Sequence, residues 1–379
     1  MSPDPVKKID MHCHVGVLGD DDPKMGGLSP WYRKQITYRV FLFYSDLTPE
    51  TVTEAELRAK LIEVFKGCTL DHVVCLALDP VYREGGKRDE DASNVWVDNE
   101  YVLGLREDVG EKVLFGASVH PFDPDFEARV EECVKKEAVL LKWLPSAQQF
   151  PLWHPRVRKC MEFLATAGPN GKPLPLLLHV GSEYAIPSTD PKTHSYDFLS
   201  WSFWDGVGNF FRGSKKWHKP KVKEIHANLD AALEAGATII FAHCGLPYFA
   251  PWGPLGKLIE HSDFDVVKSY LERCHPDAGK KGTCYADVSA CATPFRQSYF
   301  ADIRNLPPSA LLFGSDFPTP VFELSADLKE NLRDLGDVLD GKLKSIIVPQ
   351  GNPLNVNLRE LERAFPGHPM FGNGGRLVG

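Results

Sequence analysis

The chain contains no uninterrupted apolar run of about 18 residues, so no segment reads as a transmembrane helix. Its opening, Met1-Ser2-Pro3-Asp4-Pro5, lacks the apolar stretch of a secretory signal. It also lacks any C-x-x-C pair. The nine cysteines (Cys13, Cys68, Cys75, Cys133, Cys160, Cys244, Cys274, Cys284 and Cys291) are scattered, and several sit in apolar runs, which suits reduced, mostly buried thiols better than a disulfide framework. A positive charge balance is missing too. With 43 Lys and Arg against 51 Asp and Glu, the formal charge of -8 works against attraction to phosphate backbones or anionic lipid. No internal repeat, low-complexity tract or Ser-rich linker divides the chain, so residues 1–379 are expected to form one domain. These absences lead to the expectation of a cytoplasmic protein with neither a nucleic-acid nor a membrane partner.

What is present is ample apolar material, 43% of residues, in a particular order. Short runs rich in Val, Ile, Leu and Phe predict strands at Lys8 to Val15, His72 to Leu78, Val113 to Val119, Ala138 to Leu144, Pro175 to Val180, Thr238 to Cys244, Cys284 to Ser289 and Leu311 to Phe317. They are near-continuously apolar, as parallel strands covered on both faces must be. Amphipathic stretches separate them. Thr53-Glu54-Ala55-Glu56 has the form of a capping box, and Leu57, Leu61, Val64 and Phe65 follow one helical face as far as Gly67. Further helices are predicted over Asp123 to Glu137, Pro155 to Ala167, Val222 to Ala235 with Gly236 as a left-handed cap, Phe264 to Cys274, and Ser325 to Leu339. Eight strands alternating with helices predict an α/β (β/α)8 TIM barrel, with an open sheet as the alternative. The longest insertions, Gly16 to Pro49 after strand one and Gly181 to Pro220 after strand five, follow strand carboxyl ends, where barrels of this kind carry their chemistry.

The polar residues at those ends form a set. Asp10-Met11-His12-Cys13-His14 places two imidazoles at positions i and i+2 of strand one, so they project together and suit a divalent ion such as zinc. The same spacing also occurs on ordinary half-buried strands. Lys142 ends strand four, His179 strand five, His243 strand six and Asp316 strand eight, each closing a run where an ionisable group is costly without a partner. Singly, each has a plain structural reading: a hydrogen-bonded core histidine, or an aspartate capping the next turn. A closed barrel would bring all of them to one rim.

With those positions in view, the sequence resembles the amidohydrolase superfamily, and most closely its amidohydrolase-related branch of metal-dependent hydrolases and non-oxidative decarboxylases. The resemblance spans the chain and is carried by Asp10-Met11-His12-Cys13-His14, Leu177-Leu178-His179-Val180-Gly181, Phe241-Ala242-His243-Cys244-Gly245, Gly314-Ser315-Asp316-Phe317-Pro318 and Gly351-Asn352-Pro353-Leu354. It implies that His12, His14, His179 and Asp316 hold a divalent metal, one zinc ion, that His243 orients the substrate or water, and that Asp316 also accepts the water's proton. It further implies a metal-dependent hydrolase in which an activated water attacks an amide, lactone or related carbonyl. The alternative is a decarboxylase or hydratase of a carboxylated small molecule using the same cage. Lys142 has three readings: a carbamylated bridge between two metals, an ammonium binding a substrate carboxylate, or a lysine snorkelling to the rim.

Glu183 and Arg296, on loops after strands five and seven, are further candidates for substrate binding, an Arg fork being suited to a carboxylate. The stretch Phe198-Leu199-Ser200-Trp201-Ser202-Phe203-Trp204, with Phe210-Phe211, is read either as a pocket wall for an apolar or aromatic substrate or as packing on the barrel or on a second subunit in a homodimer. The basic run Lys215 to Lys223 could steer an anionic substrate, although a solvated loop explains it equally simply. Deoxyribonucleases of the TatD type also open with H-x-H, but strand four here carries Lys142 where they carry a glutamate. The expected partner is therefore a small molecule, anionic or aromatic.

Overall fold

Strands one to eight of the predicted set all form. They are β1 (Ile9–His14), β2 (His72–Leu76), β3 (Val113–Ala117), β4 (Ala138–Trp143), β5 (Leu176–Leu178), β6 (Thr238–Phe241), β7 (Thr283–Asp287) and β8 (Leu311–Leu312). They lie side by side in sequence order in one eight-stranded sheet, every pairing parallel. The sheet closes on itself. The amide of Met11 donates to the carbonyl of Phe313 and that of His14 to Phe317, while Asp316 donates back to His12. The fold is thus a (β/α)8 barrel. This computed structural model describes residues 7–202, 205–206, 218–247, 261–293, 296–319, 321 and 351–378. The expected helix over Ser325 to Leu339 lies outside the described residues, as do Lys215 to Trp217, Phe203, Trp204, Phe210 and Phe211.

The expected helices near Glu54, Asp123, Pro155, Val222 and Phe264 form, and helices over Ile36–Tyr44, Asn99–Val109, Phe300–Ile303 and Pro353–Ala364 appear beside them without having been expected. They are α1 (Ile36–Tyr44), α2 (Glu54–Gly67), α3 (Asn99–Val109), α4 (Phe126–Lys135), α5 (Pro155–Leu164), α6 (Val222–Ala235), α7 (Phe264–Cys274), a single turn α8 (Phe300–Ile303) and α9 (Pro353–Ala364). Thr53 and Glu56 complete the capping box of α2, each satisfying an amide the helix leaves orphaned. Gly236 ends α6 at φ 109, in the left-handed conformation a side chain resists. Asn352 caps α9 through its side chain, which accounts locally for the late Gly-Asn-Pro-Leu motif. No helix among the described residues is long and apolar enough to cross a membrane. All nine cysteines are free, and only Cys274 is not buried.

Alternation within the strands builds two apolar layers. Leu140, Leu177 and Ile240 point into the barrel and meet Ile9, Met11, Val74, Leu76 and Leu312. Their neighbours Leu141, Trp143, Leu176, Leu178, Ile239 and Phe241 face outward into the helical shell. β1 breaks this rhythm. Its register against β2 shifts between Asp10 and Cys13, so that Met11 and His12 together oppose Val74. A bulge of this kind re-aims the following side chains. Without it, a strand that turns Ile9 and Met11 inward would turn His12 and His14 out.

The strands are shorter at their carboxyl ends than the apolar runs suggested, because the chain leaves the sheet to build the mouth. β6 stops at Phe241, and His243 and Cys244 follow at φ 54 and 53; beyond β8, Asp316 lies at φ 58. Non-glycine residues pay for such conformations, and an enclosing structure has to hold them there.

Candidate metal centre

At the mouth, His12, His14 and Asp316 converge. His12 Nε2 lies 3.1 Å from His14 Nε2 and 3.5 Å from Asp316 Oδ1, and His14 Nε2 lies 3.4 Å from the same oxygen. An ion bonded tetrahedrally at roughly 2.0–2.2 Å sets neighbouring donor atoms about 3.3–3.6 Å apart, so two imidazole nitrogens and a carboxylate oxygen here fit a zinc-like ion in both type and spacing. His12 and Asp316 are buried and His14 is partly exposed on the cavity side.

His12 is oriented from behind. Its Nδ1 lies 2.9 Å from Asp287 Oδ2, at the end of β7, which fixes the proton on Nδ1 and leaves the Nε2 lone pair facing the cage. Asp287 also accepts from the amides of His243 and Ser289, each at 3.0 Å, and from the Ser289 hydroxyl. Burial alone would raise its pKa, but His12, His243 and Ser289 together hold it below the ordinary carboxylate range. Asp287 and His243 form a second possible ligand group with His12. Sequence reasoning missed Asp287, although Cys284 to Ser289 was correctly read as a strand and an acid ending an apolar run was the available signal.

His243 stacks against His12 with ring centroids 5.0 Å apart, and its Nδ1 meets the hydroxyl of Ser289 at 2.8 Å, so Nε2 is the nitrogen left for the cavity. Burial pushes the pKa of His243 well below normal, and burial together with the Lys142 cation lowers that of His12 to about 4. Both imidazoles are therefore neutral near pH 7, as ligation through a ring lone pair requires. Asp316 is held ionised: burial opposes ionisation, but His243, His14 and His12 outweigh it.

His179 stands outside the group of ligand atoms around His12, although its ring centroid is 5.5 Å from that of His243. Its Nδ1 is 3.0 Å from Asp197 Oδ2, and its Nε2 is engaged 3.1 Å away by Glu183 Oε2. Asp197 belongs to a long loop with no periodic pattern, so nothing local in the sequence singled it out. Lys142 is fully buried, its Nζ 3.3 Å from His12 Nε2, and burial lowers its pKa. It does not snorkel to the rim and is absent from the cavity lining. Arg296 does line the cavity, but its Nε and Nη2 donate to the carbonyls of Pro247 and Leu246 at 3.0 and 3.3 Å. Within the aromatic stretch, Phe198 stacks on His261 with centroids 3.6 Å apart, and the Leu199 amide is tied to Asp263, so this described part packs on the barrel.

A cavity opens from the cage, with His14, His179, His243 and Asp316 at one end. The insertion after β1 forms most of its other wall. That insertion is ordered by pairing of Gly26–Leu28 with Val95–Val97 and by Glu54, whose carboxylate accepts the amides of Leu18 and Gly19 at 2.7 and 3.0 Å. Tyr32 reaches across to the carbonyl of Ala185 at 2.9 Å, joining the first and fifth loops over the mouth.

A family model described as amidohydrolase matches residues 9–344. No curated protein matches the chain. Among solved structures, the chain is similar to the apo form of an enzyme called IDCase from Metarhizium anisopliae, at 15% identity over 98% of this chain and 97% of that one, with a TM-score of 0.48. It is also similar to a 2,6-dihydroxybenzoate decarboxylase from Rhizobium (12% identity, 95% and 99% covered, TM-score 0.41). A third is an amidohydrolase from Burkholderia multivorans with bound zinc (12% identity, 94% and 98% covered, TM-score 0.42).

Proposed function

The chain belongs to the amidohydrolase family, and from that premise we propose that it is a metal-dependent hydrolase cleaving a small amide, lactone or related carbonyl compound. The observation that carries this reading is the triad of donor atoms 3.1 to 3.5 Å apart, with an ionised carboxylate among them and a neutral imidazole alongside. In this reading His12, His14 and Asp316 hold one divalent ion, and His179 joins them when Glu183 turns off its Nε2. The ion, when bound, supplies Lewis acidity and lowers the pKa of a coordinated water.

The protein's own groups do the rest. Asp316 has a second oxygen, Oδ2, fixed by the hydroxyl of Thr319 at 2.9 Å, and its ionised carboxylate takes a proton as attack on the carbonyl begins. His243, whose Nδ1 proton goes to the hydroxyl and carbonyl oxygens of Ser289, turns an Nε2 lone pair into the cavity, where it accepts a hydrogen bond from a water or a substrate O–H or N–H. Lys142 is buried on the cage side of His12, its Nζ 3.3 Å from Nε2, the nitrogen that would ligate the ion.

The test is an assay of zinc-loaded protein against lactones, amides and hydroxybenzoates. Hydrolysis is expected, with Asp316→Asn losing about 10²- to 10⁴-fold in kcat. Carbon dioxide release from a hydroxybenzoate without hydrolysis of any lactone or amide would replace the hydrolase with a lyase. Full activity in Asp316→Asn would remove it as the proton acceptor.

A further inference from the structure

The cavity has two chemically distinct ends. Beyond the histidines, its wall is built from Val17, Leu18, Leu28, Tyr38, Leu42 and Leu57, which belong to the insertion after β1 and to α2. Leu18, Tyr38, Leu42 and Leu57 are core residues of a small apolar cluster separate from the barrel interior, with Leu28 packed against it. A protein interior normally closes up around such side chains, because an unfilled apolar space forfeits their dispersion contacts. Here the space stays open and continuous with the cage.

Charge is confined to the other end. Apart from histidines, the described lining residues with a charge are Glu183, Arg296 and Asp316. Glu183 is turned to His179 and the Ile186 amide, and Arg296 donates to two backbone carbonyls. Neither lies in the apolar wall. A carboxylate placed there would lose its water with no described cation beside it to offset the loss, whereas an alkyl or aryl group would gain burial.

We propose that the substrate is an acyl compound whose carbonyl sits at the cage and whose uncharged alkyl or aryl body fills the apolar half of this cavity. The idea rests on the hydrolase reading for where the carbonyl sits, but the apolar chamber stands on its own lining. It departs from the expectation of an anionic substrate and keeps the apolar one, with much of the described wall supplied by the first loop.

Straight-chain hydroxamates, from acetohydroxamate to hexanohydroxamate, test this by calorimetric titration of the zinc-loaded full-length protein. Affinity should rise about fourfold per added methylene, the factor corresponding to burial of one such group. Phenylacetohydroxamate should bind more tightly than its para-carboxylate. In Leu28→Asp and, separately, in Phe41→Asp, the latter a residue of α1 that also lines the cavity, each first shown folded by circular dichroism, the gain per methylene should shrink. A flat series in the unsubstituted protein, or tighter binding of the para-carboxylate, would overturn the proposal. If no hydroxamate binds at all, the cage reading is what has failed, and titration of metal-free protein with butylbenzene decides the chamber: saturable heat supports it, and none refutes it.

Discussion

Asp287 and Gly314 hold the cage in shape without touching the cavity. In Asp287→Asn the side-chain amide would offer a hydrogen where His12 Nδ1 now donates, favouring the tautomer with its proton on Nε2 and blocking the lone pair that faces His14. Zinc affinity should fall about 10- to 100-fold, as for other residues that orient a ligating histidine. Calorimetric titration of the metal-free variant measures this, and unchanged affinity would mean that the brace contributes nothing. Gly314 has no room for a side chain: a Cβ there would stand 2.9 Å from the Cβ atoms of both His12 and Ser289. Gly314→Ala should therefore cost about 1–3 kcal/mol, the usual penalty of overpacking, read as a lower urea midpoint. At this scale the sequence exposed His12, His14, His243 and Asp316 because each ends an apolar run. It hid Asp197, whose pairing with His179 depends on a loop path that no local pattern encodes.

Among the elements, α2 was legible almost residue by residue. Thr53 supplies the hydroxyl that accepts the Glu56 amide at 3.2 Å, and Glu56 returns a bond to the Thr53 amide at 2.9 Å. Thr53→Ala should destabilise the protein by about 1 kcal/mol, seen as a shift in the denaturation midpoint with no change in zinc affinity. A larger loss would show that the cap also supports Glu54 and the first loop. The carboxyl ends of the strands were less legible. Thr238 to Cys244 reads as one apolar run, yet the strand stops at Phe241 because His243 is turned at φ 54 into the mouth and its amide is taken by Asp287. Apolar continuity signals burial, and in a barrel the loops just beyond a strand are as buried as the strand itself. α1 and α3 escaped notice for a related reason: α1, ITYRVFLFY, carries aromatic and β-branched residues that favour strands, and tertiary packing in the first loop decides its state.

Across the whole molecule, two buried histidines should set opposite limbs of the stability profile. His120 is wholly buried, which lowers its pKa to about 3, while in the unfolded chain it titrates near 6.5. Below pH 6.5 the unfolded chain binds a proton that the folded protein refuses, so stability should fall from pH 6.5 toward 3. His261 behaves in reverse. Burial opposes its charge, but Asp263 and Asp205, at 3.0 and 3.1 Å, raise its pKa to about 9. Its contribution is complete below pH 6.5 and fades as the pH rises through 9. Guanidinium midpoints measured from pH 4 to 10 should show a flatter acid limb in His120→Gln and a flatter alkaline limb in His261→Gln. Unchanged slopes in both variants would contradict these assignments.

The sequence by itself determined the order of the eight strands and of α2, α4, α5, α6 and α7 between them, because backbone periodicity and capping are local physics. Eight apolar runs separated by capped helices can close in few ways, and closure carried distant imidazoles to one rim. Only the tertiary structure decided which way those imidazoles face. Strict alternation from Ile9 and Met11 would send His12 and His14 outward, and the bulge opposite Val74 turns them in. Pairing between neighbouring strands sets that register, so no reading of β1 alone contains it. The same holds for Asp287 behind His12 and for the apolar wall contributed by the first loop, both of which exist only as distances between segments far apart in the chain.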